Sequence, residues 1–216
     1  MSGTGAQPDL NSKPNDNATW LFEKPSRSFR NSEPWWSALF SILVLHLARG
    51  SANPRIPLRK YVGSPDEGFP SLEEPLDCSN IKFDELLVDA RLNQTLFPGI
   101  DWPIAFKDIK PDIMIHQHDA KRTVLIENKT IGHHLGRQLD RYHAVRKYLE
   151  SKGWKAEFLL LISFGYETKR EWRAVETTET KLILWEDVLR IMDSIEFFRS
   201  LFGTSLKPFY EKWAKT

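Results

Sequence analysis

The sequence predicts an α/β fold, a mixed sheet of four or five strands flanked by helices. Three features carry that expectation. Phe158 to Phe164 is a run of strand length, apolar except for Ser163, the pattern of a strand covered on both faces. Ile113 to Gln117 and Thr123 to Lys129 are mainly apolar segments parted by the polar stretch His118 to Arg122, which reads as two strands and a turn. Helical segments stand before and after them, so strands and helices alternate along the chain.

Taken in order, residues 1 to 32 are rich in Ser, Asn, Gly, Pro and charge and read as a flexible tail, with Trp20, Leu21 and Phe22 as its apolar exception. Glu33 and Pro34 open a helix that runs through Trp35 to Leu47 toward Gly50. It is apolar nearly all round and is expected to be largely buried. Residues 50 to 80 hold Pro54, Pro57, Pro65, Pro70 and Pro75 and read as loop. Glu85 to Leu92 reads as a strand, followed by breaks at Pro98, Gly99 and Pro103. After the two central strands come a helix from Leu135 to Ser151, stopped near Gly153, and the apolar strand. A short strand at Leu182 to Trp185 leads into a helix beginning at Glu186, and the segment after Ile195 reads as helical. This divides the chain into the tail, a core domain over 33–193 and a C-terminal helical extension over 194–216.

Bulk properties narrow the function classes. Net charge is +1, from 30 basic and 29 acidic residues, so any affinity for nucleic acid has to come from a local site and not from overall charge. The single cysteine, Cys78, excludes an intrachain disulfide and a thiolate zinc site, and fits a reducing cytoplasm. The N-terminus lacks an apolar core for a secretory signal. The longest apolar run, Trp35 to Ala48, is about 14 residues against the roughly 20 a bilayer crossing needs, so no membrane role is expected.

The chemistry-bearing text is Pro111-Asp112, then fourteen residues, then Glu127-Asn128-Lys129. Residues i and i+2 of a strand share a face, so Glu127 and Lys129 project side by side, about 6–7 Å apart. Asp112 opens the preceding strand, and a tight hairpin brings it beside Glu127. Two carboxylates supply hard oxygen ligands for Mg²⁺ or Mn²⁺, the Asn128 backbone carbonyl a third, and the lysine a charge for an oxyanion or a bound water. Val124, Leu125 and Ile126 lead into Glu127, and charges at the end of an apolar strand are costly unless paired or holding an ion. The alternative is a salt bridge at a strand edge.

These residues resemble the PD-(D/E)xK nuclease superfamily, which has a restriction endonuclease-like core. Gln138 and Tyr142, four apart on the following helix, are similar to the Gln-x-x-x-Tyr motif of its RecB-like branch. Ile126-Glu-Asn-Lys-Thr-Ile131 and Leu184-Trp185-Glu-Asp-Val188 are similar to small bacterial and phage-associated members. The resemblance covers roughly residues 33 to 193. It implies hydrolysis of phosphodiester bonds, with DNA as the expected substrate and Mg²⁺ or Mn²⁺ as cofactor. Asp112 and Glu127 would hold the metal, Lys129 would be the catalytic amine, and Gln138 and Tyr142 would support them. A further acidic residue from the first core helix would be Glu33, with Glu85 as its competitor. Lys129→Ala is expected to fold normally and lose cleavage. A catalytically silent binding module on the same fold, and a nuclease subunit that needs a partner, are the competing readings.

Lesser signals remain. Arg137 and Arg141 lie near the face of Tyr142 and are candidates for contact with a phosphate backbone. His116 and His118 share the strand face of Asp112 but lack a third soft ligand for zinc. Pro65-Asp66 repeats half of the motif inside a turn. Trp102 is the tryptophan best placed to be an exposed stacking platform. The apolar Phe197, Phe198, Leu201 and Phe202 suggest a homodimer or a larger complex.

Overall fold

The computed structural model describes residues 33–60, 71–129, 138–162, 180–203 and 205–207. The expected N-terminal tail, Arg137 and the Pro65-Asp66 turn lie outside the described residues.

The elements are α1 (Glu33–Gly50), β1 (Arg55–Lys60), β2 (Ser71–Asp77), β3 (Leu86–Val88), β4 (Ile113–Gln117), β5 (Arg122–Lys129), α2 (Gln138–Ser151), β6 (Lys155–Ile162), β7 (Lys181–Leu184), α3 (Trp185–Ser194) and α4 (Glu196–Phe202). The strands form one mixed sheet in the order β2-β1-β7-β6-β5-β4-β3. β4 and β5 are an antiparallel hairpin with Ile113 opposite Ile126 and Gln117 opposite Arg122. β5 then pairs parallel with β6 along its whole length, and β6 pairs parallel with β7.

Alternation along the central strands builds two cores. Val124 and Ile126 of β5 join Leu159 and Leu161 of β6 on one face, under α1, α3 and α4. Leu125 joins Leu160 and Ile162 on the other, under α2. Helix α1 contributes Trp36, Leu39, Phe40, Leu43, Val44 and Leu47, the i, i+3, i+4, i+7 stripe of a helix lying on a sheet. Its outer face is not covered as expected: Trp35 and Ile42 are exposed. Helix α2 buries Leu139, Tyr142, His143, Val145 and Leu149 and stops at Gly153, whose φ of 82° is the left-handed conformation that favours glycine after a helix. The C-terminal extension is tied into the first core, because Phe198 of α4 is fully buried there. Phe198→Ala is expected to cost about 3–5 kcal/mol, read as a lowered urea midpoint. A loss below about 0.5 kcal/mol, as for an exposed position, would make α4 an appendage.

Seven strands replace the expected four or five. The difference arises in residues 50–80, read as loop from their prolines. Pro57 stands where the β1–β2 register shifts, between Ile56 and Leu58, and Pro75 lies on β2, the outermost strand. A bulge and a sheet edge are the two places where a strand accommodates a proline, because no ladder donor is missed there. The predicted strand Glu85 to Leu92 shrinks to Leu86–Val88, since Phe83–Glu85 forms a 3₁₀ turn. Trp185 begins α3 and does not end the last strand. Among the described residues, no helix is long and apolar enough to cross a membrane.

Candidate active site

Strand β5 is buried from Thr123 to Lys129, although its last three residues are Glu, Asn and Lys. Glu127 and Lys129 are only 4% and 6% exposed. They share one face as the two-residue repeat requires, and Lys129 Nζ lies 2.7 Å from Glu127 Oε1. In so buried a pair, removing either partner leaves the other's desolvation cost uncompensated.

Asp112 immediately precedes β4. Continuing the hairpin register one step beyond Ile113–Ile126 sets it opposite Glu127. Its carboxylate Oδ2 accepts the Asn128 backbone N–H at 2.7 Å, and its carbonyl accepts the Asp89 N–H at 2.9 Å. Asp89 has a φ of 60°, a left-handed conformation that Asp adopts more readily than most residues. It also holds Lys110 in an ion pair of 2.6 Å. The approach to the site is therefore anchored on both sides of Pro111.

Tyr142 reaches across from α2. Its hydroxyl donates to Glu127 Oε2 at 2.6 Å, with the Lys110 carbonyl at 3.1 Å, while its ring stacks on Phe158 at 4.8 Å between centroids. Burial first, then the negative charge of Glu127, pushes the Tyr142 phenol far above its ordinary value. It therefore stays protonated and donating throughout the physiological range. Beside it a notch of about 80 Å³ is lined by Asp108, Ile109, Lys110, Gln138, Arg141 and Tyr142. A larger cavity of about 670 Å³ includes Arg122, Trp154, Lys155 and Lys181. It lies where β5, β6 and β7 begin, at the opposite end from the carboxylates, so its size gives it no part in their chemistry.

On the other face of β5, Asn128 is fully buried. Its Nδ2 donates to Ser37 Oγ of α1 at 3.1 Å, and its Oδ1 accepts from Trp185 Nε1 of α3 at 3.1 Å. These contacts fix the direction of the helices. Ser37 stands near the start of α1 and touches the end of β5, whereas Leu45 and Arg49 line a groove with Phe83, ahead of β3. Helix α3 starts directly after Leu184, the partner of Ile162. Helix α2 begins near Glu127 and leads back to the start of β6. The N-termini of α1, α2 and α3 thus converge on the carboxyl end of β5, β6 and β7. Their dipoles favour an anion at that end, the usual binding crevice of such sheets.

Known protein families, curated proteins and solved structures provide no match to this chain.

The structure brings together Asp112, Glu127, Asn128, Lys129 and Tyr142. Gln138 and Arg141 are exposed at the adjacent notch. Glu33 starts α1 one turn before Ser37 and on the same side, but its side chain lies outside the described residues. Glu85 is removed from contention: it accepts from the Lys82 N–H and from Gln117 Nε2, at the far end of the sheet. His116 is also elsewhere, buried between Phe97 and Trp154, where desolvation holds it below the usual histidine range. Trp102 is half-buried and stacked on Phe97 at 5.2 Å, so it is not an exposed platform. The contacts of Ser37 and Trp185 with Asn128 were not foreseen from the sequence. The signal for them was an amide among apolar neighbours, which needs polar partners from whatever packs over that face.

Among the described residues no group of three or more His, Cys, Asp or Glu side chains gathers as a metal cluster. The donor set on hand is the two carboxylates of Asp112 and Glu127 plus the Asn128 carbonyl. It fits Mg²⁺ or Mn²⁺, because Mg²⁺ keeps several waters and is commonly held by one or two carboxylates and substrate phosphate. Each Glu127 oxygen already accepts one donor but has a second lone pair for a cation.

Proposed function

We propose that this chain is a metal-dependent nuclease of the PD-(D/E)xK type, hydrolysing phosphodiester bonds in DNA. The observation that carries the reading is the Glu127–Lys129 pair, buried at the end of an apolar strand with Asp112 held against the same strand end. Asp112, Glu127 and the Asn128 carbonyl would hold Mg²⁺ or Mn²⁺. Such an ion, when bound, polarises a phosphate and acidifies a bound water. Lys129 places a fixed positive charge where negative charge develops on the phosphate or where the attacking water must be oriented. Tyr142 holds Glu127 in place. Arg141, Gln138 and the three helix N-termini supply the surroundings an anionic backbone requires.

A second reading has an observation of its own. Lys129 and Tyr142 between them engage both oxygens of Glu127, which is also how a silent, self-satisfied polar cluster would look. The deciding experiment is cleavage of plasmid, linear duplex, single-stranded DNA and RNA with Mg²⁺, Mn²⁺ or EDTA, with Glu127→Ala as control. Metal-dependent cutting that disappears in the variant is the expected result. A folded protein that cuts none of these would favour the silent module, or a subunit waiting for its partner.

A further inference from the structure

The Asn128 side chain is unusual in its surroundings. It points away from Glu127 and Lys129 into the core whose strand neighbours are Val124 and Ile126, both fully buried. An apolar residue would suit that core better, since a buried amide is unfavourable unless bonded at both ends. Here both ends are bonded, to helices on either side: Ser37 of α1 takes the N–H and Trp185 of α3 supplies one. Hydrogen bonds are directional where apolar packing is not, so the clasp fixes the rotation of β5 about its own axis at this residue. The same residue's backbone N–H holds Asp112. Glu127 and Lys129 flank it on the opposite face.

We propose that Asn128 is a positioning residue, whose side-chain clasp between Ser37 and Trp185 sets the roll of the β5 terminus and so aims Asp112, Glu127 and Lys129 at one point. Its effect on cleavage rests on the nuclease reading, but its effect on geometry does not. The experiment is therefore read twice. The Lys129 ammonium is buried and ion-paired, so it is suited to detection in an NMR spectrum of lysine NH₃⁺ groups, assigned by its loss in Lys129→Arg. In Asn128→Leu the buried Trp185 Nε1–H loses its acceptor, so the melting temperature is expected to fall. The Lys129 signal is expected to move or broaden as well, whereas an amide that only stabilises the core would lower the melting temperature and leave that signal in place. Ser37→Ala and Trp185→Phe each remove one arm and should shift the same signal by less. Cleavage should fall about 10–100-fold, with a higher metal requirement, as when outer partners of metal ligands are removed. An unmoved Lys129 signal in Asn128→Leu overturns the proposal. If that variant does not fold, an unmoved signal in both Ser37→Ala and Trp185→Phe overturns it equally. A wild-type protein that cleaves nothing yet shows the clasp-dependent shift would count against cleavage by the chain alone and leave the positioning role standing.

Discussion

Lys129→Met is expected to lose metal-dependent cleavage by about 10²–10³-fold, the usual effect of removing one charge aimed at a developing oxyanion. The same substitution should destabilise the fold by about 3–5 kcal/mol, because it strands the Glu127 carboxylate without its cation. The second effect revises the expectation that Lys129→Ala folds normally. In the structure the ammonium is buried against Glu127 as its cation, so its removal bears on the fold as well as on the chemistry. Two controls separate the effects. Adding Glu127→Gln to Lys129→Met removes the stranded charge and should recover most of the stability, but none of the cleavage. A divalent ion at a hundred times its dissociation constant should return roughly 2.7 kcal/mol to the single variant if it binds beside Glu127. Urea melts with and without Mn²⁺, beside single-turnover cleavage, measure both. Wild-type cleavage by Lys129→Met would remove the lysine from the chemistry.

Tyr142→Phe is expected to slow cleavage by about 10–100-fold and to cost about 1–3 kcal/mol. The ring keeps its stacking on Phe158, so only the hydroxyl is lost. Without it the Glu127 Oε2 and the Lys110 carbonyl each lack the donor they share, and the carboxylate can turn away from Asp112. Because the phenol stays protonated in the folded protein, its removal should lower the rate evenly across neutral pH, with no new ionisation in the profile. A stability loss with an unchanged rate would leave Tyr142 with a packing role alone.

The polar hairpin was legible because its chemistry is local. Asp112 and the Glu127–Lys129 strand are joined by one tight turn, so strand alternation and register were enough to converge them. Tyr142 was legible from its i, i+4 spacing with Gln138 together with the family resemblance. What the sequence concealed depends on long-range packing. Pro57 and Pro75 hid β1 and β2, because only the assembled sheet shows that one stands at a bulge and the other on the outermost strand. The exposed face of α1 was hidden for a similar reason, since Trp35 and Ile42 have the same apolar character as the residues beneath them. Ser37 and Trp185 lie far from Asn128 in the chain, and no local period connects them.

The hairpin also bears on how such a site comes into being during folding. Contacts between neighbours in the chain close quickly, whereas β1–β7 and α1–β5 contacts wait on large loop closures. The acidic pair of Asp112 and Glu127 can therefore meet early, while solvent still screens its repulsion. Only later do β6 and the helices exclude water, and by then Lys129 and Tyr142 must be seated or the closing core traps uncompensated charge. The nascent chain thus has a narrow interval in which a divalent ion held between the two carboxylates would act as a folding template. Refolding in Mg²⁺ should then be faster than in EDTA, even at temperatures where the finished protein is equally stable in both.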